Sequence, residues 1–174
     1  MLSDNNITLR ALEPSDIEWL YKWENDTSIW NVSNTVAPYS RHVLEQYLLN
    51  SHLDIYTTKQ LRFVIDLSGD GRSVGCIDLF DFDPRHQRVG VGILIGEKEE
   101  QGKGYASAAL KLLIDYCFKT LALRQIYCNI CSENENSVKL FMRHDFEITG
   151  VKKQWLNEDG KWKDELLLQL INDL

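Results

Sequence analysis

No apolar run in this 174-residue chain approaches the roughly 20 residues that a membrane-spanning helix needs. The start, Met-Leu-Ser-Asp-Asn-Asn, lacks the basic residues and apolar stretch of a secretory signal. Linkers, internal repeats and low-complexity segments are missing as well. Positive charge is in short supply: 19 Lys and Arg stand against 26 Asp and Glu, a net charge of −7. That balance disfavours nucleic acid and anionic membranes as partners and suits a cationic substrate better. The expectation is a cytoplasmic protein. What is present is enough for a core. A hydrophobic fraction of 44% and five tryptophans argue against disorder, and the length suits one domain over residues 1–174.

The four cysteines fit a reducing compartment. Cys128-Asn-Ile-Cys131 has CxxC spacing, which invites a redox or zinc reading. The pair falls at the end of an expected strand, where residues three apart point to opposite faces. No second Cys/His pair has the spacing to complete a zinc site. Reduced, mostly buried thiols and no metal are expected.

Periodicity gives the elements. Ile7–Ala11 alternates as a strand, and Glu13-Pro-Ser-Asp16 opens a helix with Ile17, Leu20, Tyr21 and Trp23 largely on one face. Residues 25–37 read as polar and irregular. Ser40 is the expected N-cap of a helix over Arg41–Asn50. Strands follow at Leu61–Leu67, Val74–Asp83 and Val89–Gly96, the first two joined by a Ser-Gly-Asp-Gly-Arg-Ser turn. Tyr105–Thr120 is a long amphipathic helix with a polar stripe at Lys103, Ser107, Lys111, Asp115 and Lys119. It crosses from Val89–Gly96 to the strand Gln125–Ile130, so those two strands should be parallel neighbours. A helix over Asn134–Arg143 and two strands, Phe146–Leu156 and Trp162–Leu170, complete the chain.

The most informative segment is Glu97-Lys-Glu-Glu-Gln-Gly-Lys-Gly-Tyr-Ala106, a glycine-rich turn leading from a strand into the long helix. Such a turn leaves backbone N–H groups unpaired at the positive end of a helix dipole, a ready site for phosphate. A P-loop does not fit. Five residues, not four, separate Gly96 from Gly102-Lys103, and Gly104 stands where Ser or Thr should be. A dinucleotide fingerprint fits poorly, with Ser107 at the third glycine position and no acid closing the next strand.

Gln101, Gly104 and Ala106 match the Gln/Arg-x-x-Gly-x-Gly/Ala loop that binds the acyl-CoA pyrophosphate in the GNAT superfamily of N-acetyltransferases. Downstream, Asn134-Glu-Asn-Ser137-Val-Lys-Leu140-Phe141-Met-Arg-His-Asp-Phe146 resembles that family's Asn-x-x-Ser-x-x-Leu-Tyr-x-Lys-x-Gly-Phe segment. The resemblance runs from about Ile7 to Leu170 and is nearest the ribosomal-protein-alanine and spermidine N-acetyltransferases. It implies an α/β (α+β) GNAT fold: a mixed, mostly antiparallel sheet of about seven strands with about four helices. A bulge in the fourth strand, Val89–Gly96, would splay it from the fifth and open the cofactor slot.

The resemblance further implies direct transfer from acetyl-CoA to a primary amine of a small molecule or a protein N-terminus. Gln101, Gly102, Lys103, Gly104, Tyr105, Ala106 and Ser107 would hold the pyrophosphate. Leu94, Ile95 and Gly96 would pair with the pantetheine amides, joined by the Asn134–Ser137 segment. A homodimer is also implied. The chain departs from the family at three places. Phe141 replaces a tyrosine that protonates the leaving thiolate, neither Gly90 nor Val91 supplies the strand's usual glutamate, and Asp145 replaces a glycine. Asp78 is the candidate base, nearest the centre of a strand that also carries Asp81 and Asp83; His86 is a further candidate base, and Glu24 a candidate substrate-facing acid from the first helix. Trp30, Tyr39 and Trp155 are candidates for an aromatic wall. The acid-free segment 30–39 counts against a spermidine or other diamine acceptor, the first alternative. The second is a non-catalytic module that binds acyl-CoA.

Overall fold

The computed structural model describes residues 2–33 and 35–173. Its strands are β1 (Leu2–Ser3), β2 (Ile7–Arg10), β3 (Leu61–Leu67), β4 (Ser73–Asp83), β5 (Arg88–Ile95), β6 (Gln125–Cys131), β7 (Glu147–Glu158) and β8 (Lys161–Ile171). They form one sheet in the order β1-β2-β3-β4-β5-β6-β8-β7. Only the β5–β6 pair is parallel, as a helical crossover between them requires. The helices are α1 (Ile17–Glu24), α2 (Trp30–Ser33), α3 (Arg41–Leu49), α4 (Ile55–Thr58), α5 (Tyr105–Lys119) and α6 (Glu135–Met142).

Eight strands replace the expected seven because a short N-terminal strand pairs with β2, Leu2 opposite Leu9. The expected fourth and fifth strands are therefore β5 and β6. Six helical segments replace four because α2 and α4 are single turns of four residues, too short to show a periodic signal. Residues 25–37, expected to be irregular, contain α2 and a preceding 3-10 turn, Thr27–Ile29. Ser40 caps α3 as expected, its hydroxyl accepting from the Val43 N–H at 3.2 Å.

The alternation of β3 shows how the layers form. Val64 faces Leu12, Leu20, Leu44 and Leu48, the buried residues of α1, α3 and the chain before them. Ile65 points the other way, into a larger core with Ile77, Leu79, Val89, Val91 and the α5 face Ala109, Leu110, Leu113 and Cys117. Arg62 shares the Val64 face, and its register partner across the strand pair is Asp78. So α1 and α3 cover one face of the sheet and α5 the other. Three of the four cysteines are buried and all four are free.

One expectation about the strands is corrected. The β4–β5 register is regular from Gly75↔Ile95 to Phe80↔Gly90 and shifts only before Asp83↔Arg88. Two β4 residues, Asp81 and Phe82, thus lie opposite one on β5. The bulge sits on β4, where Asp81 has φ +50°, and not on the glycine-containing strand β5. The β5 glycines answer to close approach instead. A Cβ on Gly90 would stand 2.3 Å from the Phe80 ring, and one on Gly96 2.4 Å from the Trp23 indole. The splay itself is present. Parallel pairing of β5 with β6 covers only Arg88↔Gln125, Val89↔Ile126 and Gly90↔Tyr127, after which the two strands part.

Candidate active site

The parting of β5 from β6 leaves one edge of β5 without a neighbour. Gly96 N–H bonds Val74 O at 3.0 Å, which fixes the alternation along the regular β4–β5 pair. Leu94 and Gly92 then turn their amides to β4, and Ile95 and Ile93 turn theirs to the gap, while the Val91 N–H faces β6 at the last paired position, Gly90↔Tyr127. Of the expected trio Leu94, Ile95 and Gly96, only Ile95 presents its N–H to the slot. The amides of the other two belong to the sheet. Ile93 is the slot-facing residue that the sequence did not single out.

At the far end of β5 the chain makes a 3-10 turn, Lys98–Glu100, and enters the glycine loop. Gln101 Nε2 donates to Ile95 O at 3.0 Å and ties the loop to the strand. Gly102 and Gly104 have φ of +76° and +90°, a conformation that costs other residues roughly 1–2 kcal/mol, and neither would meet another atom if it carried a Cβ. Gly104 is the N-cap of α5 and offers no side chain to it. Among the described residues, the N–H groups from Gly102 to Ser107 find no acceptor. Ala108 is the first that does, bonding Gly104 O at 3.0 Å. Six free N–H groups at the N-terminus of a 15-residue helix fit a pyrophosphate. Lys103 adds little charge of its own, because Nζ is held 2.8 Å from Glu100, a buried carboxylate that also pairs with Arg72. Ser107 Oγ lies 2.7 Å from His144 Nε2.

The second half of the site is a cleft of about 770 Å³ that runs through the gap between β5 and β6. Val91, Cys128, Ile130 and Phe141 line it from the α5 side; Asp78, Phe80, Gly92 and Asn129 line it from the other. Asn134 caps α6, its Oδ1 accepting from the Ser137 N–H at 3.2 Å, and its amide nitrogen makes no hydrogen bond among the described residues. Phe141 is a core residue, 3% exposed and edge-on to Phe146 with ring centroids 5.0 Å apart. Asp145 has φ +64°, which explains why the family favours glycine there; aspartate is one of the few residues that tolerate this conformation.

Charge in the cleft comes from scattered strands. Among the described lining residues are five carboxylates, Glu24, Asp78, Glu133, Glu158 and Glu165, and two cations, Arg62 and Lys163. Arg62 grips Asp78 with two bonds of 2.7 Å and reaches Glu24 with its other nitrogen. Burial works against the Arg62 charge, but Asp78 first among its neighbours holds the guanidinium well above its ordinary pKa. Lys163 Nζ lies 2.8 Å from Glu133 and also contacts Glu158, and both raise its pKa. Glu165 pairs with Lys152 at 2.7 Å. The segment 30–39 lines the cleft, as Asn31, Val32, Ser33, Thr35 and Tyr39, without adding an acid. Arg62, Glu133, Glu158, Lys163 and Glu165 went unrecognised in the sequence, because long side chains on separate strands leave no local motif.

Other expected residues lie elsewhere. His86 is exposed in the β4–β5 turn, its N–H bonded to Asp83. Trp155 is exposed and stacks under Lys152. Trp30 donates to Glu24 O at 3.1 Å and packs beside the cleft, of which Tyr39 forms a wall. Asp81 and Asp83 border a separate open depression with Arg88 and Tyr127. The geometry does not assemble Trp30, Tyr39 and Trp155 into one wall.

A strand with a free edge, a helix start with unpaired N–H groups and a cleft through a splayed sheet are the features of an acyl-CoA-dependent transferase. The family description "Acetyltransferase (GNAT) domain" matches residues 6–147, and the chain belongs to that family. It is an N-acetyltransferase that uses acetyl-CoA. It is 31% identical over 166 residues to the spermidine N(1)-acetyltransferase of Escherichia coli K12, covering 95% of this chain and 86% of that one. The [ribosomal protein uS5]-alanine N-acetyltransferase of the same organism is 38% identical over 80 residues, 46% of this chain and 41% of that one. A crystal structure of the Vibrio cholerae spermidine N-acetyltransferase in complex with CoA and spermine superposes with a TM-score of 0.86 at 27% identity, covering 97% and 96% of the two chains. Among the described residues no helix is long and apolar enough to cross a membrane.

Proposed function

We propose that the chain acetylates a primary amine of a di- or polyamine, and that a single domain carries the reaction. The observation that supports this acceptor is the cleft's excess of carboxylates over cations, five against two. An acceptor with a second ammonium group gains a Coulombic partner there, and a neutral-tailed monoamine does not. The likeness to polyamine-acetylating relatives points the same way. The acid-free segment 30–39 is no obstacle, since β4, β7, β8 and the β6–α6 connection supply the acids.

Acetyl-CoA supplies the acetyl group as a thioester, which an unprotonated amine can attack directly. The chain's own residues do the rest. Backbone N–H groups from Gly102 to Ser107 hold the pyrophosphate, with Gln101 bracing the loop. Ile95 and Ile93 offer the strand edge to the pantetheine amides, and the free amide of Asn134 adds a donor. The slot-facing N–H of Ile93 stabilises negative charge developing on the carbonyl oxygen. Asp78, opposite Gly92 at the gap, accepts the amine proton through water. Both of its oxygens are engaged by Arg62, yet each keeps a lone pair. Phe141 can donate no proton, so the thiolate departs into water. The four free thiols support a cytoplasmic setting. The exposed Ile148, Val151 and Trp155 on edge strand β7 support self-association.

The test is to incubate the full chain with acetyl-CoA and equal amounts of putrescine, spermidine, spermine, a simple alkylamine and peptides with free N-terminal alanine, and to identify products by mass spectrometry. Polyamine products should form about tenfold faster than the alkylamine product. Peptide acetylation with polyamines untouched would replace this acceptor with a protein N-terminus. Binding of acetyl-CoA without any product would favour the non-catalytic reading.

A further inference from the structure

Ser107 and His144 join the two halves of the cofactor machinery. Ser107 is the third residue of α5, and helical side chains lean towards the N-terminus, here towards the glycine loop. His144 lies in the turn that ends α6, its own N–H bonded to Phe141 O at 2.9 Å, immediately before the left-handed Asp145. Both side chains are half-buried and meet at 2.7 Å, Oγ to Nε2.

A hydroxyl has one proton to give. When Nε2 is bare, Ser107 donates to the ring and turns only lone pairs to the loop, which repels a phosphate oxygen. When Nε2 carries hydrogen, the ring donates to Oγ, and the Ser107 proton is released towards the loop. The imidazolium does this and adds positive charge beside the anion. Nδ1 has no hydrogen-bond partner among the described residues, so no neighbour there fixes the neutral tautomer.

We infer that His144 is a positioning residue for the phosphate loop: it sets the direction of the Ser107 hydroxyl and so couples pyrophosphate binding to proton uptake on its ring. This rests on the reading of Gly102–Ser107 as the pyrophosphate site. The charged groups facing the ring are Lys111 from α5 and Arg143 and Asp145 from its own turn. Burial holds its pKa below the ordinary value; Asp145 pushes it up, and Lys111 and Arg143 push it down. The ring is therefore mainly neutral when the loop is empty, and an arriving pyrophosphate raises its pKa. A raised pKa in the complex means binding is tightest below the pKa of the free protein. That advantage is lost as pH rises through the pKa of the complex.

The experiment is isothermal titration of the full chain with acetyl-3′-dephospho-CoA, which lacks the one phosphate that would itself titrate near neutrality. Measured from about pH 5.5 to about pH 8, affinity should fall by about fivefold to tenfold, with net proton uptake at the acid end. His144→Gln keeps an N–H donor that cannot titrate and should flatten the profile, and Ser107→Ala should flatten it with the histidine still present. A flat wild-type profile, or a wild-type slope in both variants, overturns the inference. Absence of binding at every pH removes the phosphate-loop reading and this inference with it, an outcome distinct from binding without a slope.

Discussion

In the proposed reaction the glycine loop and the acceptor cleft work together, but they are built from different material. The loop, on the α5 side of the sheet, works through backbone. Six N–H groups find no acceptor among the described residues, Lys103 is neutralised by Glu100, and two positive-φ glycines sit in open space. The cleft works through side chains contributed by α1, β3, β4, β7, β8 and the β6–α6 connection, with its carboxylates tied into ion pairs. A backbone site needs particular conformations in consecutive residues. A side-chain site needs only that remote positions come together. The first should tolerate changes of charge and not of conformation; the second should behave in the opposite way.

Substitutions can break that contrast. The largest effect is expected from Asp78→Asn, which keeps the shape and one acceptor but removes the proton-accepting charge. The turnover rate should fall by about a hundredfold with the acetyl-CoA KM little changed. A fall of less than about threefold would make Asp78 a structural partner of Arg62. Gly104→Val comes next. With no atom near the added Cβ to hold it at φ +90°, the loop should relax rather than strain the fold. Acetyl-CoA KM should then rise by about thirtyfold, equivalent to about 2 kcal/mol, while the melting temperature stays close to wild type. A lowered melting temperature with normal KM would show that the loop is rigid.

Asp16→Asn provides a reference outside both halves. Burial raises the Asp16 pKa, but hydrogen bonds from Arg10, the Glu13 N–H and Trp19 outweigh it and hold the carboxyl below its ordinary value. A depressed pKa means stability that is present above the unfolded-state value and lost as pH falls through the folded-state value. Urea unfolding should show a loss of about 1.5 kcal/mol at pH 7 that shrinks below about pH 4. A loss that persists unchanged in acid would mean that the ion pair is not its source. The smallest effect is expected from Lys163→Met, which frees Glu133 and Glu158. The KM for spermine should drop by about fivefold and that for a monoamine should stay put. Equal changes for both would show that the cleft's charge does not select the acceptor.

The same contrast decides what could be read before the fold was known. The loop and the Asn134–Phe146 segment are contiguous, so their conformational demands are written as glycines and caps at fixed spacing. The elements around them were legible too, because α5 and the long strands keep their periods over many residues. Arg62, Glu133, Glu158, Lys163 and Glu165 were not. Each is an ordinary charged residue on a strand or loop, and only the sheet order brings β3, β4, β8 and β7 to one cleft. The bulge was misplaced for a related reason. Glycine in β5 signals either a bulge or a close neighbour, and the neighbours, Phe80 and Trp23, come from other elements. Leu94 and Gly96 were misread because which amides face outward depends on register, and a shift of one residue reverses them.

The buried cysteines have a practical side. Burial pushes the thiols of Cys76, Cys117 and Cys128 up to about 12, so at neutral pH they are neither exposed nor ionised. Cys76 is one of them although it lines the cleft. A disulfide dye that colours on meeting free thiolate would therefore ignore most of the protein's own sulfur, with Cys131 the one to watch. Coenzyme A liberated at each turnover would dominate the signal, and the enzyme could be followed continuously in its native form.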